Sequence, residues 1–407
     1  MIARALARLR SSASTGGALG ACTAPARKPT RGGVVCAKVA RYAERQHHPA
    51  RLSRPLRRVG EKSIGAAAFA PISWEDALDE VAEQLTRAAQ RYGSEAVWPY
   101  YYSGTMGLVQ RDGLNRLRHA MRYSREHLSI CNMLSDAGWL AGVGVKRGVD
   151  GREMAKSDLI VIWSGNPVST QVNVMTNVAA ARKQRGAELV VVDPYRTATA
   201  GQADIYLAPL PGTDGALACA VMHVLFAEGY ADRDYMARYT DDPAGLERHL
   251  ASRGPAWAAR VTGLSQAEIV GFARLYGRTK RSYIRIGYGF SRSRNGAAQL
   301  FAVTCLPSVT GAWAHEGGGA LYSNHGLVPL DRTLIEGLDL FDPSVRILDQ
   351  SRIGPVLTGD PRDIRDGPPV TALFIQNTNP MVVAPNRAWC AAASNAPTCS
   401  SVCMSSS

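Results

Sequence analysis

No C-x-x-C pair occurs anywhere in the 407 residues, and the eight cysteines (Cys22, Cys36, Cys131, Cys219, Cys305, Cys390, Cys399 and Cys403) are scattered. Scattered cysteines in so long a chain argue against a disulfide framework, so reduced thiols and a cytoplasmic setting are expected. Cys219 and Cys305 lie in apolar runs and read as small core residues. No window offers 18 uninterrupted apolar residues, so no membrane span is expected. No twin-arginine pair precedes an apolar run, so export is not supported. Acid is scarce at the start: the first 60 residues hold 13 Lys or Arg against Glu44 alone, and the rest holds 34 basic against 33 acidic residues. The formal charge of +13 is therefore a property of one basic segment. Neither interleaved aromatics nor a recognition motif accompanies it, so nucleic acid is not an expected partner. There is no internal repeat.

A hydrophobic content of 46% and a charged content of 20% describe a globular chain with room for two or three domains. Ser73-Trp74-Glu75-Asp76 has the spacing of a capping box. It opens a helix with Ala77, Leu78, Val81, Ala82, Leu85 and Ala88 on one face. A strand over 96–102 and a helix over 111–122 follow. Then come apolar strands at 157–163 (SDLIVIW), 188–192 (ELVVV), 204–207, 282–286 and 371–375. Helical sequence at 172–185 and 214–228 separates some of them. Apolar strands without polar alternation, separated by helices, predict an α/β fold with largely parallel sheets covered on both faces. Residues 1–31 and 387–407 read as irregular. The latter holds three cysteines and six serines, and because a hydrophobic strand directly precedes it, the domain is expected to stop unfinished.

In open α/β sheets, ligands sit beyond the carboxyl ends of the strands. Four segments fall there. Gly165-Asn166-Pro167-Val168-Ser169-Thr170 combines close backbone approach with hydroxyl donors ahead of a helix. In Asp193-Pro194-Tyr195-Arg196, the acid suits a base edge or ribose hydroxyl and the arginine suits a phosphate. Pro211-Gly212-Thr213-Asp214-Gly215 is a tight turn opening a helix. The fourth is Gly287-Tyr288-Gly289-Phe290-Ser291-Arg292. Each also fits a plain turn or helix cap, but four in succession point to a phosphate-bearing cofactor. The nicotinamide-type pattern G-x-G-x-x-G is not completed, since Arg292 stands where the third glycine belongs.

These residues resemble the molybdopterin oxidoreductases of the dimethyl sulfoxide reductase and formate dehydrogenase superfamily. The marks are GVVCAKVARY with HHPARLSRPLRRVG, PISWEDALDEVA, YYSGTMGLVQRDG, WSGNPVSTQVNV, VVDPYRTATAGQADIYL, LPGTDGALACA, IRIGYGFSRSRNG, VTGAWAHEGGGAL and NTNPMVVAPN. The resemblance implies intertwined α/β domains: a discontinuous one over 64–130 plus 322–386, and a dinucleotide-binding one over 131–321. Residues 32–63 would be the remnant of an iron–sulfur-type domain. It implies two molybdopterin guanine dinucleotides on one molybdenum. Gly165, Asn166 and Pro167 would lie along one dinucleotide's phosphates, and Asp193 and Arg196 at its guanine and ribose. Gly212, Thr213 and Asp214 would close that pocket, and Gly289, Phe290 and Ser291 would line the pterin side. Asn379, with Pro380, would approach the second dinucleotide. Cys131 would be the catalytic thiolate on molybdenum, as suits a soft ligand. Lys38 would link the pterin to a four-iron cluster. Of that cluster's four cysteines only Cys36 has a counterpart here, and one thiolate does not hold it. The implied reaction is two-electron redox of a small-molecule substrate, with an electron-transfer partner. The family's C-terminal β-barrel domain has no counterpart, so the expectation is a chain truncated at both ends. The alternatives are a non-catalytic nucleotide-binding module and a nicotinamide-dependent dehydrogenase.

Overall fold

A computed structural model describes residues 34–102, 104 and 107–386, except the side chains of residues 62 and 63; it also gives the backbone of 10–13, 19–23 and 400–403. The chain forms two compact units, one of Met1–Lys28, Val35–Ile130 and Leu330–Ser407, the other of Pro29–Val34 and Cys131–Pro329.

The second unit is built on a five-stranded sheet. Its order is Gly319–Leu321, Ser282–Ile286, Leu159–Trp163, Glu188–Val192, Ile205–Leu207, and every pair is parallel. Val161 sits opposite Ile284 on one side and Val190 on the other. The strands read as unbroken apolar runs because both faces are buried. Leu159, Val161 and Trp163 enter one core with Leu217, Val221, Phe272 and Val303, from helices Asp214–Ala227, Gln266–Arg278 and Gly296–Val309. Ile160 and Ile162 enter the other with Val178 and Ala181 of helix Val172–Arg185. From Leu159–Trp163 the chain builds outwards through two strands, then returns to the opposite side at Ser282–Ile286. The sheet's switch point therefore lies at the carboxyl ends of these two strands, where such folds open a crevice.

The first unit holds a parallel sheet ordered Ser400–Cys403, Ala372–Gln376, Val97–Tyr101, and a parallel pair of Arg125–His127 with Ile347–Asp349. Trp98, Tyr100, Leu348, Ile353, Val356 and Leu373 form its core. Helix Trp74–Tyr92 starts at Ser73, whose Oγ accepts from the Asp76 N–H at 3.0 Å. The box is only half made, because the Asp76 carboxylate takes the Ser73 hydroxyl instead, at 2.8 Å. Ala77 and Val81 are buried, but Leu78 and Ala82 face solvent. The helix expected over 111–122 breaks at Gly113 into Leu108–Asp112 and Leu114–Met121.

Irregular ends were expected from side-chain pattern, but backbone pairing needs no such pattern. Arg10–Ala13 pairs antiparallel with Leu19–Thr23, and Ser400–Cys403 adds to the open edge of Ala372–Gln376. The rest of 1–31 and 387–407 lies outside the described residues. Among the described residues no helix is long and apolar enough to cross a membrane.

Candidate functional site

Two turns meet at the switch point of the five-stranded sheet. Ser164 leaves its strand with φ +52°, its N–H donating to Val192 O at 2.8 Å and its carbonyl accepting from Gly289 N at 3.1 Å. Gly287 N donates to Trp163 O at 2.8 Å. A Cβ on Gly287 would stand 2.1 Å from Ser164 O and 2.6 Å from Gly165 Cα; one on Gly289 would stand 2.8 Å from Ser164 Cβ. The residue type is thus set by backbone packed on backbone.

Asp214 pins the third turn beneath them. Its carboxylate accepts from Trp163 Nε1 at 2.8 Å and Ser164 Oγ at 3.3 Å, and its N–H donates to Gln299 Oε1 at 2.8 Å. The Gln299 amide donates to Asn295 Oδ1 at 2.6 Å and Ser293 Oγ at 2.9 Å, and Asn295 Nδ2 donates to Gly212 O at 3.1 Å. Gly212 turns with φ +81°, and the Thr213 hydroxyl donates to Leu210 O at 2.7 Å. Asp214 is buried, and burial pushes its carboxyl above the usual range. Sequence reasoning placed Asp214 on the pocket wall; here it faces inwards and braces the turn. Asp214→Ala strands two donors and is expected to cost about 2–3 kcal/mol, Asp214→Asn about 1 kcal/mol or less. Urea midpoints at pH 7 check this, and equal losses in both variants would contradict it.

The first turn carries Asn166, whose Oδ1 accepts from Thr199 Oγ1 at 2.7 Å, while Thr199 Oγ1 accepts from Val168 N at 3.1 Å. Pro167 is buried at the start of the short helix Pro167–Thr170. Asp193 follows its strand nearly buried. Burial raises its carboxyl, opposed by the Tyr195 N–H, which donates to Oδ1 at 3.3 Å. Arg196 is exposed, its guanidinium 5.6 Å from the centre of the Tyr206 ring. The Tyr206 hydroxyl donates to Asp193 O at 3.0 Å.

Cys131 is half-buried, two residues before helix Met133–Val143. Arg292 Nη1 donates to Cys131 O at 3.3 Å, and Ser291 Oγ lies 2.6 Å from Ser135 Oγ and accepts from Ser135 N at 3.2 Å. The Gly287–Arg292 turn therefore holds both the Ser164 turn and the loop carrying Cys131. Asn132 Nδ2 donates to Asp136 Oδ1 at 3.0 Å, which also accepts from the Tyr322 hydroxyl at 2.7 Å; Lys146 pairs with the same carboxylate. Phe290 is buried among the sheet and helix core, so only its main chain faces the turn.

In the first unit, Gly104 and Asn377 follow the parallel strands Val97–Tyr101 and Ala372–Gln376, and a Cβ on Gly104 would stand 1.7 Å from Asn377 O. Asn379 caps Pro380–Val383, accepting from Met381 N at 3.1 Å. Cys36 caps the short helix Ala37–Ala40, which exposes Lys38. Among the described residues no group of three or more His, Cys, Asp or Glu side chains could hold a metal ion. Trp163, Gln299, Asn295 and Thr199 brace the turns and escaped sequence reading, since their partners lie 33 to 85 residues away.

The family model for molybdopterin oxidoreductases matches residues 51–403. Probable oxidoreductase YoaE of Bacillus subtilis is 34% identical over 359 residues, which is 88% of this chain and 52% of that one. Probable dimethyl sulfoxide reductase chain YnfF of Escherichia coli is 30% identical over 311 residues, 70% of this chain and 38% of that one. Formate dehydrogenase H of Escherichia coli is 27% identical over 246 residues, 59% of this chain and 34% of that one. This chain thus spans about half or less of these relatives' length. The solved structure of acetylene hydratase from Pelobacter acetylenicus superposes with a TM-score of 0.70 at 18% identity, over 95% of this chain and 57% of that one.

Proposed function

The chain belongs to the molybdopterin oxidoreductase family, and from that premise we propose that it binds molybdopterin guanine dinucleotide at the switch point. When bound, that group supplies two-electron redox chemistry towards a small-molecule substrate. The observation that carries the reading is the junction of glycine turns, where Gly287 and Gly289 leave no room for a side chain against the Ser164–Gly165 turn. Main-chain N–H groups of such turns suit phosphate oxygens. Gly165, Asn166 and Pro167 would run along the phosphates. The Asp193 carboxylate would accept from a guanine edge, with Arg196 at the ribose. Gly212 and Thr213 would close the pocket, with Asp214 bracing them from below. Gly289 and Ser291 would meet the pterin side, Phe290 contributing main chain only. Asn379 would serve a second dinucleotide. Cys131 supplies a soft donor for molybdenum; its loop is held by Arg292 and Ser291. Electrons would pass to a partner, and Lys38 would contact the pterin. The described thiols Cys36, Cys131, Cys219 and Cys305 are free, and a cytoplasmic setting is proposed for the chain.

Metal analysis and pterin fluorescence on protein made in molybdenum-replete cells test this. Molybdenum and pterin are expected together. Cys131→Ala is expected to keep the pterin while X-ray absorption loses one sulfur neighbour of the metal. Protein with neither metal nor pterin would leave the nucleotide-binding module.

A further inference from the structure

Strand Ser282–Ile286 was read as apolar, yet its fourth residue is Arg285, only 7% exposed. Among the described residues no carboxylate pairs with it. Its guanidinium donates to the carbonyls of Ile286, Leu321 (2.9 Å) and Tyr322 (3.1 Å), and to the Gln171 side-chain oxygen at 2.5 Å. Burial lowers its pKa, and its ionisable neighbours Tyr283, Tyr288 and Tyr322 are phenols that burial keeps neutral. Burying a cation against neutral acceptors alone is costly, and an apolar side chain of the same length would serve packing better. The position retains a charge that the protein itself leaves uncompensated.

Gln171 shows what that charge does. It is exposed, standing between Pro167–Thr170 and Val172–Arg185, on the carboxyl side of strand Leu159–Trp163. A carboxamide whose oxygen is held by Arg285 has its NH2 as the group left to donate. A guanidinium behind the oxygen polarises those N–H bonds. We infer that Arg285 and Gln171 form a relay at the switch point. Gln171 is a binding residue donating to an anionic oxygen of the ligand, and Arg285 is a positioning residue that fixes the amide and supplies the compensating charge. The inference rests on the phosphate-bearing ligand proposed above and adds two residues to its recognition.

The test is calorimetric titration of the purified chain with guanosine diphosphate, alongside thermal melts. Gln171→Glu separates binding from structure, because its carboxylate pairs with Arg285 while placing negative charge where the donors were. Its melting temperature is expected to hold or rise, and its affinity to fall by roughly tenfold or more. Arg285→Met is expected to weaken binding by a similar factor and to melt lower, since it leaves the Leu321 and Tyr322 carbonyls without their donor, and Arg285→Lys to lie between. The double variant Gln171→Glu/Arg285→Met is expected to lose no more than the worse single one, since both act through one amide. Wild-type affinity in Gln171→Glu, or losses that add, overturns the relay while leaving the phosphate site standing. If Arg285→Met does not fold, Gln171→Glu and Arg285→Lys decide the matter. A wild-type chain that binds no guanosine diphosphate overturns the phosphate site and the relay together.

Discussion

Gly287→Ala is expected to melt the Cys131–Pro329 unit about 10 °C below wild type and to abolish binding at the switch point. The added Cβ would stand 2.1 Å from Ser164 O, 2.6 Å from Gly165 Cα and 2.6 Å from Ser164 C. All three are backbone atoms, so no rotamer change relieves the clash. Separating the turns breaks the hydrogen bonds Gly287 N to Trp163 O and Gly289 N to Ser164 O. Overpacking of side chains costs about 1–3 kcal/mol. Backbone against backbone belongs in the exceptional range of about 4 kcal/mol. For a unit of this size each kcal/mol shifts the midpoint by about 2–4 °C. Gly271→Ala is the control: it sits exposed within helix Gln266–Arg278, and its Cβ would meet nothing within 4 Å. Removing a helical glycine there is expected to stabilise by up to about 1 kcal/mol. Circular dichroism melts of the two variants decide the matter, and a Gly287→Ala midpoint within 2 °C of wild type sinks the argument.

The parts legible in the sequence were those set locally. Helix 172–185 runs Val172–Arg185 as read, because Gly186 with φ +68° ends it and basic residues fill its last turn. Strand 188–192 was equally plain, since four of its five residues are fully buried and three of those are β-branched valines. The four ligand segments could be placed at strand ends because parallel α/β order dictates where strands stop. Which side chains face a ligand was not legible. Asp214 turns inwards because of Trp163 and Gln299, 51 and 85 residues distant, and Phe290 fills the core between the sheet and its helices. Arg285 escaped notice because one charge in an apolar strand looks like noise until its partners are known. The same holds for Ser400–Cys403, whose partner strand begins at Ala372.

Arg118 and Glu126 of the first unit carry the largest effect away from the candidate site. Both side chains are almost wholly buried, at 4% and 0% exposure. Arg118 Nη2 stands 3.2 Å from Glu126 Oε2, and Arg118 also donates to Pro99 O and Asn115 Oδ1. Glu126 Oε2 further accepts from Tyr101 N at 3.2 Å. Arg118→Leu removes the only guanidinium facing that carboxyl among the described residues and leaves Pro99 O without its donor. A loss of about 2–3 kcal/mol is expected, mostly from the buried acceptors left without their donor. Glu126→Gln keeps an acceptor for Tyr101 N and is expected to cost about 1–2 kcal/mol. Added to Arg118→Leu, it should recover part of the loss rather than deepen it. Acidity gives an independent check. Burial pushes the Glu126 carboxyl up to about 8, against the opposing charge of Arg118. Its folded pKa therefore exceeds its unfolded value of about 4.3. Between these values the folded state binds more protons at this carboxyl, so the stability it contributes is full below about pH 4 and is lost as pH rises towards 8. That decline should be present in wild type and vanish in Glu126→Gln. A wild-type denaturation curve that keeps the same pH slope after Glu126→Gln would assign the titration to another group.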